Sequence, residues 1–218
     1  MGVQEIVETA VDARMPLRNE PVQARSAARL TALLDAAAAI VHEIGFERLT
    51  TAMVAERAGA SIGTVYRYFP DRIALLQALA ARNLDRVLTR AGDEIADTRH
   101  ENWLTAMGGA FGVLIDAFRT EPGFRGLRVG DVIDLRPAAT ERTFNSIIAE
   151  RLFDGLVARF DVPDTADIRF LFETAMEISD ALATRAFARD PQGDDRFLQV
   201  SRETVYGMLA PHFGPVGS

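Results

Sequence analysis

Between residues 50 and 72 the 218-residue chain reads TTAMVAERAGASIGTVYRYFPDR. Hydroxyls at Thr50, Thr51, Ser61, Thr64, Tyr66 and Tyr68 crowd there with guanidinium groups at Arg57, Arg67 and Arg72 and two glycines, Gly59 and Gly63. Guanidinium and hydroxyl groups hydrogen-bond anionic oxygens well, and a glycine lets a backbone approach a ligand closely. Other chemistry is poorly provided for. His42, His100 and His212 are far apart, with no His-x-x-x-His pairing and no glycine-rich phosphate cradle. The absence of cysteine excludes disulfides, thiolate metal sites and thiol nucleophiles. No metal or cofactor is implied.

The elements that must position those residues are short helices. Thr50 suits an N-cap, Met53, Val54 and Ala58 give a short apolar face, and Gly59 ends that helix. Ser61 can cap the next helix only two residues later, Val65 and Phe69 can face inward, and Pro70 stops it. Helices this short do not persist alone in water, so neighbours must hold them. Two such helices across a glycine turn read as a helix-turn-helix, which makes the chain a candidate DNA binder.

Before them, Leu30, Leu33, Ala37, Ile40 and Ile44 form one apolar stripe of a helix over about 21–44. Gly45 and Phe46 suit its end, and the run Ala36 to Ala39 lets another helix approach closely. Asp71 can cap a fourth helix whose Ile73, Leu76, Leu79, Leu84 and Leu88 run to about Arg90, after which AGDEIADTRHEN reads as a polar break. Further helical patterns cover about 102–120, 124–134, 138–160, 165–188 and 194–211, with no alternating strand pattern. The expectation is an all-α protein of about nine helices.

The net charge of −7 is unevenly spread. Residues 21–72 carry six arginines against five acids, while residues 73–218 carry sixteen against twenty-two. The acid is concentrated away from the candidate reader. All basic residues are arginine, a feature given no functional weight. No apolar run reaches the roughly 18 residues of a membrane span, and residues 1–20 lack a signal-peptide pattern, so a soluble cytoplasmic protein is expected.

From about Arg25 to Leu76 the sequence resembles the TetR family of bacterial one-component transcriptional regulators. GFERLTTAMVAERAGASIGTVYRYFPDRIALL follows that family's pattern of Gly-aromatic, threonine cap, Val-Ala, Ala-Gly, Ser-x-Gly-Thr and Tyr-x-Tyr-Phe. Arg72 departs from it, standing where lysine is usual. Beyond residue 90 the resemblance is architectural, although GFRGLRVGDVIDLR looks similar to one subgroup. Weak periodicity and Pro16 suit a flexible arm over 1–20, and the resemblance implies a DNA-binding domain over 21–72 and a helical ligand-binding and dimerisation domain over 73–218. It also implies DNA, a second copy of the chain and a small-molecule effector as partners, and no membrane.

In a helix-turn-helix the N-terminal end of the second helix meets base edges while flanking groups clamp the backbone. Ile62, Gly63, Thr64 and Tyr68 are therefore candidate base readers. Thr50, Thr51, Ser61, Tyr66, Arg67, Arg72 and Arg25 are candidate phosphate contacts, with Arg29 behind them. Periodicity alone would bury Ile62 beside Val65 and Phe69; the resemblance exposes it. For Tyr68, core packing competes with a DNA contact. Arg14 and Arg18 in the arm could reach a minor groove.

Two readers must stand about 34–36 Å apart to enter successive major grooves, which calls for a dimer. Its expected interface is the stripe Ile168, Leu171, Ala175, Ile178 and Leu182 with the stripe Phe197, Val200, Val205, Met208 and Leu209, paired as a four-helix bundle. Trp103, Met107, Phe111, Phe118, Phe124, Phe144, Phe172 and Met176 could line an apolar effector pocket, although such a stripe also suits plain core. Glu173, Glu177 and Asp180 could attract a cation or form a solvated face, with Arg169 pairing Glu173 one turn away. The expected function is a repressor released from a palindromic operator by a small, largely apolar effector. A DNA-binding scaffold without ligand sensing, and a helical enzyme acting on a hydrophobic compound, are the alternatives.

Overall fold

A computed structural model describes residues 20–125 and 143–214. Among the described residues there are eight helices and no strand: α1 Glu20–Ile44, α2 Thr51–Arg57, α3 Ile62–Tyr68, α4 Arg72–Ala96, α5 Trp103–Thr120, α6 Phe144–Phe160, α7 Ala166–Phe187 and α8 Asp195–Phe213. They fall into two compact units. The described part of the first is 20–83 with 122–125, and that of the second is 84–121 with 143–214. The sequence-based border at 72/73 thus differs from the packing border at 83/84, because α4 carries both apolar stretches. The arm with Arg14 and Arg18, and most of the 124–134 helix, lie outside the described residues.

In the first unit, Leu33, Leu34, Ala37, Ile40 and Val41 of α1 are buried against Val54, Val65, Phe69, Leu75, Leu76 and Leu79. Gly45 ends α1 at φ 84°, with its N–H on the Val41 carbonyl at 3.0 Å. The alanine run does admit a close neighbour, but it is a turn. A Cβ on Gly123 would lie 3.2 Å from the Ala38 carbonyl, so only glycine fits at that φ of 77°. Asp71 caps α4, accepting from the Ala74 N–H at 2.8 Å. Arg57 grips Glu43 with two hydrogen bonds of 2.7 and 2.8 Å, tying α2 to α1 and holding the Glu43 carboxyl below its ordinary range.

α4 does not break at Ala91. Ala91 and Ile95 continue the apolar stripe from Val87 at four-residue steps, all buried, and carry the helix to Ala96. Arg159 of α6 then donates to the Ile95 carbonyl and, at 2.6 Å, to the His100 carbonyl, satisfying acceptors that a helix end leaves open. Around α4 the second unit packs aromatic rings: Phe153 on Phe172 at 5.3 Å, Phe172 on Phe213 at 6.2 Å, and Trp103 on Phe213 at 5.1 Å. No described helix is long and apolar enough to cross a membrane.

Candidate functional site

Thr50 and Ser61 set the two short helices. The Thr50 hydroxyl accepts from the Met53 N–H at 3.2 Å, and the Ser61 hydroxyl accepts from the Thr64 N–H at 3.1 Å. Each occupies a first-turn donor that would otherwise be unpaired. Gly59 takes φ 58° between them, and Ala60 N–H bonds the Ala55 carbonyl at 2.9 Å. Val54 and Val65 are fully buried and anchor one helix each. With seven residues apiece, both helices are held by this packing.

What the anchoring leaves outside is a small mixed surface. Ile62 is 43% exposed, so the helix turns Val65 inward and Ile62 out. Gly63 is exposed, and a Cβ there would meet only the Ser61 hydroxyl, at 3.8 Å. Glycine in a helix costs roughly 0.5–1 kcal/mol relative to alanine, and no internal contact requires it here. Tyr66 is 51% exposed, and its oxygen accepts from Thr51 across a long 3.4 Å, which leaves the phenolic proton free to donate outward. Arg67 is exposed beside it. Such a face can offer close backbone approach, an apolar contact and outward donors to a duplex.

Two expected contacts turn elsewhere. Tyr68 is half-buried, its hydroxyl 3.0 Å from the Ser26 hydroxyl of α1, so its phenol faces α1 and not the exposed edge of α3. Arg72 is half-buried as well, donating from Nη2 to the Phe46 carbonyl at 2.6 Å. That carbonyl lies just past α1 and also accepts the Leu49 N–H, so Arg72 closes the α1–α2 loop before it can reach a phosphate. Arg25 is exposed on α1, as is Ser26, a residue the sequence pattern did not single out.

The expected apolar effector pocket is filled by its own rings. Trp103, Met107 and Phe172 are buried in the second unit's core, Met176 packs against it, and Phe118 stacks on Phe187 at 4.7 Å. Phe111 is half-buried beneath the Arg202 guanidinium, 5.6 Å away. Phe124 is buried and groups with the first unit, and the Phe144 side chain lies outside the described residues. The second unit instead has an open recess of about 480 Å³, lined by Thr143, Ser146, Ala149, Glu150, Phe153, Arg169 and Glu173. Of the eight expected pocket residues, none of the seven whose side chains are described lines it. Arg169 pairs with Asp164 at 2.6 Å and Asp154 at 2.9 Å, not with Glu173. Asn145 donates to Glu177 at 2.7 Å and Asp180 at 3.3 Å. Among the described residues no group of three or more acidic or histidine side chains could hold a metal ion.

The expected dimer stripes also divide. Ala175 and Leu209 are fully buried, and Ile168, Leu171, Val205 and Met208 pack against the same core. The most apolar stripe of each helix is needed by the monomer first. Ile178, Leu182 and Phe197 are half-buried at the flank, where the Arg185 guanidinium lies 5.2 Å from the Phe197 ring, and Val200 is exposed. Phe170 on α7 was missed and is 71% exposed. Gly207 on α8 is also exposed, with open space where a Cβ would stand.

Comparison with known proteins agrees with this arrangement. The profile described as bacterial regulatory proteins, tetR family, matches residues 33–79, and that described as tetracyclin repressor-like, C-terminal domain, matches residues 101–213. A TetR-family transcriptional regulator from Streptomyces coelicolor is similar at TM-score 0.70 and 33% identity, over 84% of this chain and 97% of that one. The TetR family repressor AlkX from Dietzia sp. strain DQ12-45-1b shares the fold at TM-score 0.60 and 19% identity, over 84% and 94%. The HTH-type transcriptional repressor KstR of Rhodococcus jostii (strain RHA1) is 41% identical over 58 residues, or 27% of each chain. The chain therefore spans only about a quarter of the length of that curated relative.

Proposed function

The chain belongs to the TetR family of bacterial regulatory proteins and is a DNA-binding regulator; on that premise we propose that it is a dimeric repressor that occupies a palindromic operator and leaves it when a small molecule binds the second unit. The observation that carries the DNA reading is Gly63: a helical glycine with open space around it, set between the exposed Ile62 and Tyr66. Ile62, Gly63 and Thr64 are assigned to base edges. Thr50, Thr51, Ser61, Tyr66, Arg67 and Arg25 are assigned to phosphates, which position the protein without selecting sequence. Residues 21–72 act as the reading domain, residues 73–218 as the sensing and dimerising domain, and the protein works in the cytoplasm without catalysing a reaction.

The dimer surface assigned here is the outward flank of α7 and α8: Phe170 and Ile178 with Phe197, Val200 and Gly207. Large apolar groups beside a residue without a side chain suit close packing across a two-fold axis. An effector that favours one spacing of the two readers would shift operator affinity by its differential binding, typically 1–3 kcal/mol. The recess of about 480 Å³ is the candidate entry, with Phe153 as its apolar wall and Glu173 and Arg169 as its polar one.

The test is fluorescence anisotropy at fixed salt with a duplex selected from random sequence. Gly63→Leu and Tyr66→Ala should each weaken specific binding at least tenfold, or about 1.4 kcal/mol, with thermal unfolding unchanged. Unaltered binding by both variants would sink the assignment. A scaffold that senses no ligand is the second reading, and the ring-filled core of Phe153, Phe172 and Phe213 favours it. No thermal shift and no release of DNA across a panel of small molecules would decide for the scaffold.

A further inference from the structure

Helix α5 is held at its ends and slack in its middle. At its start Asn102 accepts from the Thr105 N–H at 3.0 Å, the Trp103 indole N–H donates to the Gly214 carbonyl at 3.3 Å, and Ala106 and Met107 are buried. Toward its end Ile115, Ala117 and Phe118 are buried, Phe118 stacks on Phe187, and Arg119 donates from Nε to the Gln192 carbonyl at 2.8 Å. Between residues 108 and 114 only Ala110 is buried. Phe111, Val113 and Leu114 are half-buried there, and Gly108 and Gly112 are exposed.

Three glycines fall in that middle stretch. Gly109 has an internal use: a Cβ there would collide with the Glu94 side chain, whose carboxylate meets the His100 Nε2 at 2.9 Å. Gly108 and Gly112 have none, since a Cβ on either would stand in open space. They lie one turn apart on one face of the helix. Elsewhere in the second unit such open helical glycines come one to a helix, Gly92 in α4 and Gly207 in α8, while a Cβ on Gly155 of α6 would press on Ile95 at 3.3 Å. Glycine loses more conformational freedom in a helix than alanine does, so each unpacked one favours the locally open chain. Two together shift that balance roughly five- to thirtyfold. Few buried apolar groups and exposed backbone hydrogen bonds mark the segments of a protein that open first.

We propose that α5 is the yielding wall of the second unit: it bows between Gly108 and Gly112 while Trp103 and Phe118 stay docked, and so makes room for a small apolar molecule beside Met107 and Ala110. The proposal rests on the effector reading and deepens it. The recess at Phe153 is the way in, and α5 supplies the volume that the packed rings of Phe153, Phe172 and Phe213 withhold. Met107 and Ala110 belong to the same core as those rings, so space opened beneath α5 is continuous with it.

The experiment compares amide hydrogen exchange in the full-length wild type and in a variant carrying both Gly108→Ala and Gly112→Ala, where each new methyl enters open space. In the wild type the amides of residues 110–115 should exchange faster than those of residues 172–183 in α7. The variant should slow the α5 amides roughly five- to thirtyfold and leave α7 unchanged. Equal exchange in the two helices of the wild type, or equal slowing of both by the variant, would overturn the proposal. Loss of self-association in sedimentation with α5 exchange unchanged would assign the glycines to an interface and also overturn it. The second arm titrates N-phenyl-1-naphthylamine, a neutral apolar dye that brightens away from water. Because apparent affinity scales with the fraction of competent state, the variant should bind the dye more weakly by the factor seen in exchange, with duplex binding in its absence unaltered. Equal dye affinity in both proteins would sink the yielding wall and leave effector binding standing. No uptake by either would take the effector reading down with it.

Discussion

Helices α3 and α7 each place a buried apolar residue within a few positions of an exposed one, yet with different neighbours. On α3, Val65 is fully buried while Ile62 stands out among Ser61, Gly63, Tyr66 and Arg67. On α7, Phe172 is fully buried while Phe170 stands out on a helix packed beside α8, whose own exposed residues include Val200 and Gly207. An exposed apolar group ringed by hydroxyls and guanidinium groups suits a polyanion with a methyl or sugar surface. A phenylalanine exposed at 71% on a helix paired with another that also exposes Val200 and Gly207 suits a second protein surface. Company, more than hydrophobicity, separates the two.

The sharpest way to break that contrast is within α7. Phe172→Ala should cost about 3–5 kcal/mol of folding stability by opening a cavity among Phe153 and Phe213, read by denaturant unfolding. Phe170→Ala should leave monomer unfolding nearly unchanged and weaken self-association in sedimentation equilibrium. Equal stability losses from both would erase the distinction. On α3, Ile62→Asp should reduce operator affinity at least tenfold, about 1.4 kcal/mol, while stability stays within about 0.5 kcal/mol as for other exposed positions. A large fall in unfolding midpoint would show Ile62 to be core. Gly207→Leu should weaken the dimer by a smaller factor and leave DNA half-site binding intact.

The smallest effect tests electrostatics far from either face. Arg99 donates to Asp97 from its side chain at 2.7 Å and its backbone at 2.8 Å, holding the carboxyl down to about 2 from an ordinary 3.8. A depressed carboxyl contributes stability that is present above 3.8 and disappears as pH falls toward 2. Arg99→Ala removes the larger, side-chain cause and keeps the backbone N–H, so it should return the Asp97 titration, followed by NMR, part of the way toward 3.8 and narrow that acid dependence. An Asp97 titration unmoved by the variant would mean that the pair does not persist in solution.

The caps at Thr50, Ser61 and Asp71 were legible because each bonds an N–H three residues away. The destinations of Tyr68 and Arg72 were not, since their partners Ser26 and Phe46 lie 42 and 26 residues off. Spacing carries no record of such distances. Periodicity likewise found the apolar stripes of α7 and α8 but not their use, because one stripe can satisfy a core or a partner. The core claimed Ala175 and Leu209, and the less apolar flank was left over. The continuation of α4 to Ala96 was masked by the charged residues Asp93 and Glu94, which sit between Ala91 and Ile95 without disturbing the stripe.

Gly123 carries a consequence for how such proteins can be recombined. The turn at 122–124 belongs to the first unit, pressed on the Ala38 backbone with Phe124 buried, although nearly forty residues separate it from the rest of that unit. A reading head exchanged by cutting after Asn83 would therefore leave a piece of itself behind. Chimeras that graft a new reading head onto this second unit should fare better when the incoming segment presents an alanine-lined α1 against the retained turn, or brings its own version of residues 122–124. The unit of inheritance is discontinuous even where the reading motif is a single run of sequence.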